Sequence, residues 1–200
     1  MQPFAYPALP HGRRHGPRGY ARHESYRPWL RDEFAFRCVY CLGRERWHKG
    51  HYGFHVDNLI PERADPGRAL DYDNLLYACG TCNEMKADAE GIVDPGKTAY
   101  GQCIEVHEDG TIRALNSEGR ILIKVLRLDN RENTEYRRLM LEIVRMARDE
   151  NAKLHLDLMG YPDDMPDLAA KRPPAGNSRP NGVEGSFRAR QTRGELAETY

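Results

Sequence analysis

The sequence has no long uninterrupted run of apolar residues. No stretch approaches the roughly 18 consecutive apolar residues that indicate a membrane-spanning helix. The first twenty residues, MQPFAYPALPHGRRHGPRGY, also lack the continuous apolar segment of a secretory signal peptide. We therefore predict no membrane association and a cytoplasmic location.

The chain also lacks an excess of either charge. Its 200 residues include 30 Lys and Arg and 30 Asp and Glu, which gives a net charge of zero. The overall charge therefore offers no support for nucleic-acid binding, which would have to depend on local groups of basic residues. Hydrophobic residues make up 40% of the chain, which is enough for one domain with a modest core.

Cysteine is scarce, and four of the five cysteines form two Cys-x-x-Cys pairs, Cys38 with Cys41 and Cys79 with Cys82. In a reducing compartment such pairs indicate metal ligands rather than disulfides. Two pairs complete a tetrahedral sulfur shell without an open position, so we predict a structural Zn²⁺. The alternative is four unrelated buried cysteines. Cys103 is left over and is predicted to be a buried thiol.

Composition divides the chain into four parts. Residues 1–24, rich in Pro, Gly and Arg, predict a flexible basic arm that is either solvated or in contact with phosphate. Residues 25–95 hold the paired cysteines. Residues 96–160 predict a β-hairpin followed by helices, and residues 161–200 predict a disordered tail. No internal repeat is present.

The segment between the two cysteine pairs is longer than a simple zinc ribbon requires, which indicates an additional folded unit. Together with its flanks it resembles the HNH endonuclease family. The resemblance is carried in order by Cys38-Val-Tyr-Cys41, Asp57-Asn58-Leu59-Ile60-Pro61, Asp73-Asn74-Leu75 and Cys79-Gly-Thr-Cys82-Asn83-Glu-Met-Lys86. The longer segment SYRPWLRDEFAFRCVYCLGRERW is similar to stand-alone bacterial members of this family.

The resemblance covers at least residues 25–90 and implies both a fold and an activity. The fold is α+β: a ββα-metal (His-Me finger) core stapled by a four-cysteine zinc, here followed by a C-terminal hairpin and helices. The implied activity is metal-dependent hydrolysis of DNA phosphodiester bonds, so DNA is the implied partner. The alternative is a non-catalytic, zinc-stabilised module that binds nucleic acid or a partner protein.

The family's site residues can be carried over position by position. Asp57 and Asn83 match the ligands of a catalytic ion, and their hard oxygens suit Mg²⁺ or Mn²⁺. Asn74 matches the asparagine that orients the catalytic histidine, with simple loop capping as the alternative. Lys86 matches a residue that either contacts phosphate or is a solvated helix lysine.

Asn58 departs from the family, because it stands where the resemblance places the histidine that activates water. An amide cannot accept that proton, and general-base catalysis is typically worth 10²–10⁴-fold in rate. Hydrolysis is therefore expected to be impaired. Two explanations remain open, a deliberate inactivating replacement and a natural divergence. His55, two residues before Asp57 on the predicted strand, is the candidate substitute base or third ligand; the alternative is an exposed or structural histidine.

Basic residues around the first cysteine pair are candidates for DNA backbone contacts, which position a duplex without reading its sequence. They are Arg37, Arg44, Arg46 and Lys49. Because the chain carries no excess of positive charge, a separate recognition or ATPase subunit is a further candidate partner.

Overall fold

The computed structural model describes residues 2–200 as two small antiparallel sheets surrounded by helices. The helices are α1 (Arg27–Glu33), α2 (Gly80–Lys86), α3 (Ser117–Leu126), α4 (Arg131–Glu150), α5 (Ala152–Met159) and α6 (Phe187–Thr192), and the strands are β1 (Phe54–Asn58), β2 (Leu75–Cys79), β3 (Ile104–Val106) and β4 (Ile112–Ala114). Across residues 2–200, none of these helices is both long enough and apolar enough to cross a bilayer.

Strands β1 and β2 pair along their whole lengths, from Phe54 opposite Cys79 to Asn58 opposite Leu75. Helix α2 begins at the residue after β2, so the chain forms a ββα unit. All five residues of β2 are buried, and the Phe54 ring stacks on Tyr77 across the pair at 4.9 Å between centroids. The predicted α+β fold with a ββα core is confirmed.

Helix α1 covers this unit. Pro28 lies in its first turn, where a missing backbone N–H costs nothing. Trp29 and Leu30 are buried and belong to the same apolar core as β2. The predicted hairpin is also present, as β3 and β4, and Gly110 in its turn adopts a φ of +82° that suits glycine. Side chains of Asn116 and Asn130 cap α3 and α4 by accepting backbone N–H bonds.

The N-terminal segment does not form the predicted flexible arm, because it packs against α1. Phe4 and His15 are buried, and the His15 ring lies 2.8 Å from the carboxylate of Asp32. The Arg14 guanidinium lies 3.0 Å from the same carboxylate. Asp32 is buried within α1 and needs positively charged or N–H partners, and this segment supplies them.

The C-terminal segment differs from the predicted disordered tail in the same way. Asn177 pairs with Pro17 in an isolated β-bridge, so the two ends of the chain lie side by side. Arg179 donates two bonds to the carboxylate of Asp73, at 2.9 and 2.8 Å. The composition of the segment indicated disorder because the segment has few apolar residues. Polar contacts with residues more than 100 positions away in the sequence nevertheless hold it in place.

Candidate functional site

The four paired cysteines meet at one point. Their sulfur atoms all lie within 4.8 Å of one another, and the sulfurs of Cys41 and Cys79 are 3.7 Å apart. Zinc–sulfur bonds of about 2.3 Å in a tetrahedron place sulfurs about 3.8 Å apart. Contacts with the neighbouring thiols lower the pKa of Cys79, whereas burial raises the pKa of Cys38 and contacts with the other thiols raise that of Cys82, so the fit to a metal rests on the positions of the sulfurs. The cluster therefore fits a zinc ion with a closed sulfur shell.

Asp57, near the end of β1, is a buried carboxylate with two donors. The Tyr40 hydroxyl donates to Oδ2 at 2.6 Å, and the Lys86 ammonium donates to Oδ1 at 3.1 Å. Burial raises the pKa of Asp57, and Lys86 and Tyr40 offset only part of that rise. The Lys86 ammonium also donates to the Asn58 carbonyl at 2.6 Å, so it joins the end of β1 to α2.

Lys86 therefore has neither of the roles predicted from its position in the sequence. It is 1% exposed, so it is not a solvated lysine, and its ammonium cannot reach a phosphate outside the protein. The helix turns it inward, one turn beyond Asn83, against the carboxylate of Asp57.

The donor set around Asp57 is still chemically compatible with a divalent ion. A carboxylate offers about four lone-pair positions, and Tyr40 and Lys86 use one each. Asn83, partly buried on α2, carries an amide oxygen of the kind that Mg²⁺ and Mn²⁺ accept. The positive charge of Lys86 next to the carboxylate would weaken the binding of such an ion.

Asn58 is not alone at the base position. Its side-chain amide donates to the backbone carbonyl of Ala69 at 2.8 Å. The Nε2 atom of His23 lies 2.8 Å from the same oxygen. The two side chains are therefore within two hydrogen-bond lengths of each other, although 35 positions separate them in the sequence. Both are partly exposed.

Asn74 fixes the loop between β1 and β2. Its Oδ1 accepts from the Ile60 N–H at 2.9 Å, and its Nδ2 donates to the carbonyls of Ile60 and Arg68 at 3.0 and 3.1 Å. Arg68 directly precedes Ala69. The fully buried Asn74 thus holds the stretch of backbone that presents the Ala69 carbonyl to Asn58 and His23.

His55 lies away from this position. Residues 55 and 58 are three apart on a strand, so their side chains point to opposite faces of β1. The His55 ring is exposed and lies against Gly80 at the start of α2. The structure therefore brings His23, rather than the predicted His55, beside Asn58.

Three of the four basic residues predicted to contact DNA are engaged within the protein. Arg44 is fully buried and donates to the carbonyls of Met159 and Tyr200; burial and the neighbouring Arg37 lower its pKa to about 10. That assignment was wrong, because Arg44 anchors the C-terminal segment. The Arg37 guanidinium lies over the Tyr200 ring at 4.8 Å.

Arg46 donates to the Tyr161 carbonyl and to the Asp163 carboxylate, both in the C-terminal segment. Lys49 alone is exposed and free to contact a phosphate. Nothing in the local sequence around these arginines distinguishes them from surface residues, because their partners lie more than 100 positions away.

Sequence reasoning missed two residues of this site. Tyr40 lies inside the first Cys-x-x-Cys pair, where a hydroxyl donor to Asp57 has no local signal. His23 lies in a segment whose Pro, Gly and Arg content predicted flexibility. Its only signal was the residue type, a histidine in a chain whose expected base is missing.

The comparison with known families agrees with this geometry. Residues 38–89 match the model of the family described as HNH endonuclease. This range begins at the first of the four clustered cysteines and ends just beyond α2, so it contains the ββα unit and the whole sulfur cluster. No curated protein matches the chain. Over residues 38–89 the chain is therefore similar to an HNH endonuclease domain.

Proposed function

We propose that this chain is a metal-dependent phosphodiesterase that hydrolyses DNA. The observation that carries the proposal is the match of residues 38–89 to the HNH endonuclease family on a ββα unit stapled by four cysteines. Asp57 on β1 and Asn83 on α2 would hold Mg²⁺ or Mn²⁺. When bound there, the ion would stabilise negative charge on the phosphate and its leaving oxygen.

The protein's own residues divide the remaining work. Tyr40 and Lys86 hold the Asp57 carboxylate in one orientation, and Asn74 fixes the adjoining loop. Asn58 contributes a hydrogen bond to Ala69 but cannot take a proton from water. With Asn58 as its only residue at the base position, the site would lack a general base, which is typically worth 10²–10⁴-fold in rate. Hydrolysis would then be slow unless another group accepts the proton.

A second candidate function is a non-catalytic DNA-binding module. It is favoured by the closed environment of Asp57, which is 6% exposed and already neutralised by Lys86. Because Arg44 and Arg46 are engaged internally, few basic side chains around the first cysteine pair remain for DNA contacts. With either function, we propose that a separate recognition subunit would help to select the target.

Nicking of supercoiled plasmid in Mn²⁺, with EDTA as the control, tests the proposal. We expect Mn²⁺-dependent nicking by the parent chain and its loss in Asp57→Asn, which keeps the size of the side chain and removes its charge. The Asp57→Asn protein should also lose Mn²⁺ binding measured by calorimetry while it retains about one zinc per chain.

Two results would contradict parts of this proposal. Equal Mn²⁺ binding by Asp57→Asn would show that the ligand assignment is wrong. DNA binding without nicking, in the parent chain and in Asn58→His alike, would favour the non-catalytic module.

A further inference from the structure

A histidine from outside residues 38–89 lies next to Asn58 at the base position of this site. We propose that His23, in the N-terminal segment, is the general base that Asn58 cannot be. The geometric basis is the shared acceptor: Nε2 of His23 and Nδ2 of Asn58 each lie 2.8 Å from the Ala69 carbonyl oxygen. The inference rests on the proposed phosphodiesterase function.

The backbone around His23 is anchored. His23 begins a short 3-10 helix, His23–Tyr26, and Tyr26 at its end is buried in the main core. The Tyr26 ring packs edge-on against Tyr20 at 5.0 Å between centroids. The Tyr20 hydroxyl accepts a hydrogen bond from the Trp29 indole at 3.3 Å. A base must be held in a defined place to act on one water molecule, and this packing supplies that condition.

The Ala69 carbonyl also determines which ring nitrogen is available. A carbonyl oxygen only accepts hydrogen bonds, so Nε2 of His23 must carry the hydrogen. In the neutral ring the lone pair is then on Nδ1, and within residues 2–200 Nδ1 has no protein hydrogen-bond partner. Since the ring is only partly buried, water can reach that nitrogen.

In this arrangement His23 acts in the step that cleaves the phosphodiester bond. The oxygen of a water molecule forms a bond to phosphorus while one of its protons passes to Nδ1 of His23. The bond between phosphorus and the leaving ester oxygen breaks, and that oxygen takes a proton from solvent. His23 then releases its extra proton to solvent, which restores the neutral ring.

The competing explanation is that His23 only ties the N-terminal segment to the loop at Ala69. The substitution His23→Gln separates the two roles. A glutamine amide places an N–H donor close to the position of Nε2, so it can keep the bond to Ala69, but it cannot accept a proton. A purely structural role therefore survives His23→Gln, and a catalytic role does not.

We suggest plasmid nicking in Mn²⁺ by the parent, His23→Gln, Asn58→His and the double variant, all at equal zinc content. His23→Gln should lower the rate about 10²-fold or more, and Asn58→His in that background should restore most of it. In the parent background Asn58→His should change the rate less than about tenfold, since a base is already present. His107→Gln, at an exposed histidine beyond β3, should match the parent.

The possible outcomes separate this inference from the proposed function. If the parent and His23→Gln cleave equally, the inference is wrong and the phosphodiesterase proposal stands. If His55→Gln, rather than His23→Gln, silences the parent, the base is His55 and the inference is again wrong. If no protein in the series cleaves although all bind plasmid, the proposed function itself fails.

Discussion

At the scale of single residues, Lys86 and Asp57 show how burial changes the contribution of an ion pair to the free energy of unfolding. Their 3.1 Å contact is not shorter than the 2.8 Å contact between Lys153 and Asp157. The Lys153 side chain is 85% exposed, whereas Lys86 and Asp57 are almost fully buried. An exposed pair gains little because water screens it, whereas a buried charge that loses its partner keeps its full desolvation cost.

We therefore expect Lys86→Met to lower the free energy of unfolding by about 3 kcal/mol, since it leaves the Asp57 carboxylate buried with Tyr40 as its remaining side-chain donor. Chemical denaturation of zinc-loaded protein near pH 7 measures this. The matched control, Lys153→Met, should change stability by less than about 0.5 kcal/mol. A similarly small effect for Lys86→Met would show that the pair is solvated in solution.

At the scale of secondary-structure elements, the four-cysteine cluster joins two turns that are far apart in the sequence. Cys38 and Cys41 lie in the turn that follows α1, while Cys79 and Cys82 lie where β2 passes into α2. The cluster therefore ties the turn after α1 to the ββα unit. Zinc binding is worth on the order of 10–16 kcal/mol in small zinc domains, and we propose that it supplies part of the folding energy of this region.

For that reason we expect Cys79→Ser to cause loss of soluble, folded protein rather than a selective loss of cleavage. Protein purified without added zinc should contain about one equivalent per chain in the parent and much less in the variant. Soluble yield, circular dichroism and metal analysis provide the readouts. Folded Cys79→Ser protein with parent-like stability and no zinc would show that the cluster is not a structural metal site.

The elements that were predictable from sequence are those with a local signal. The alternation of Ile104 and Val106 before Asp109-Gly110 predicts a hairpin without knowledge of any distant residue. The spacing of the cysteines likewise predicts the zinc cluster. The packing of the two termini, the burial of Arg44 and the approach of His23 to Asn58 depend on contacts between distant positions. No pattern within a short window carries that information.

At the scale of the whole molecule, Glu33 joins parts of the chain that are far apart in sequence. Its buried carboxylate accepts bonds from the N–H groups of Arg14 and His15 at 2.8 and 3.0 Å, from the Tyr72 hydroxyl at 3.1 Å and from the His11 ring at 3.1 Å. Burial by itself would raise the pKa of Glu33. The bonds and charges of these partners outweigh burial and lower the pKa to about 2.

This shift predicts an acid-sensitive connection between the N-terminal segment and α1. The folded-state pKa of about 2 lies below the ordinary value of 4.5, so the folded protein holds the charged form more strongly than the unfolded chain does. The contribution to stability is therefore complete above about pH 4.5 and is lost as the pH falls towards 2. The size of the shift corresponds to about 3 kcal/mol.

We expect Glu33→Gln to lower the free energy of unfolding by roughly that amount at pH 7 and by progressively less as the pH is lowered below 4.5. A zinc–thiolate site also releases its metal in acid. The free energy of unfolding of the variant must therefore be compared with that of the parent at each pH, with zinc content measured alongside. Glu84→Gln, at an exposed position on α2, provides the control and should show no such trend. A difference between Glu33→Gln and parent that stays constant from pH 7 to pH 3 would mean that the lost hydrogen-bond geometry, rather than the charge of Glu33, holds the N-terminal segment on α1.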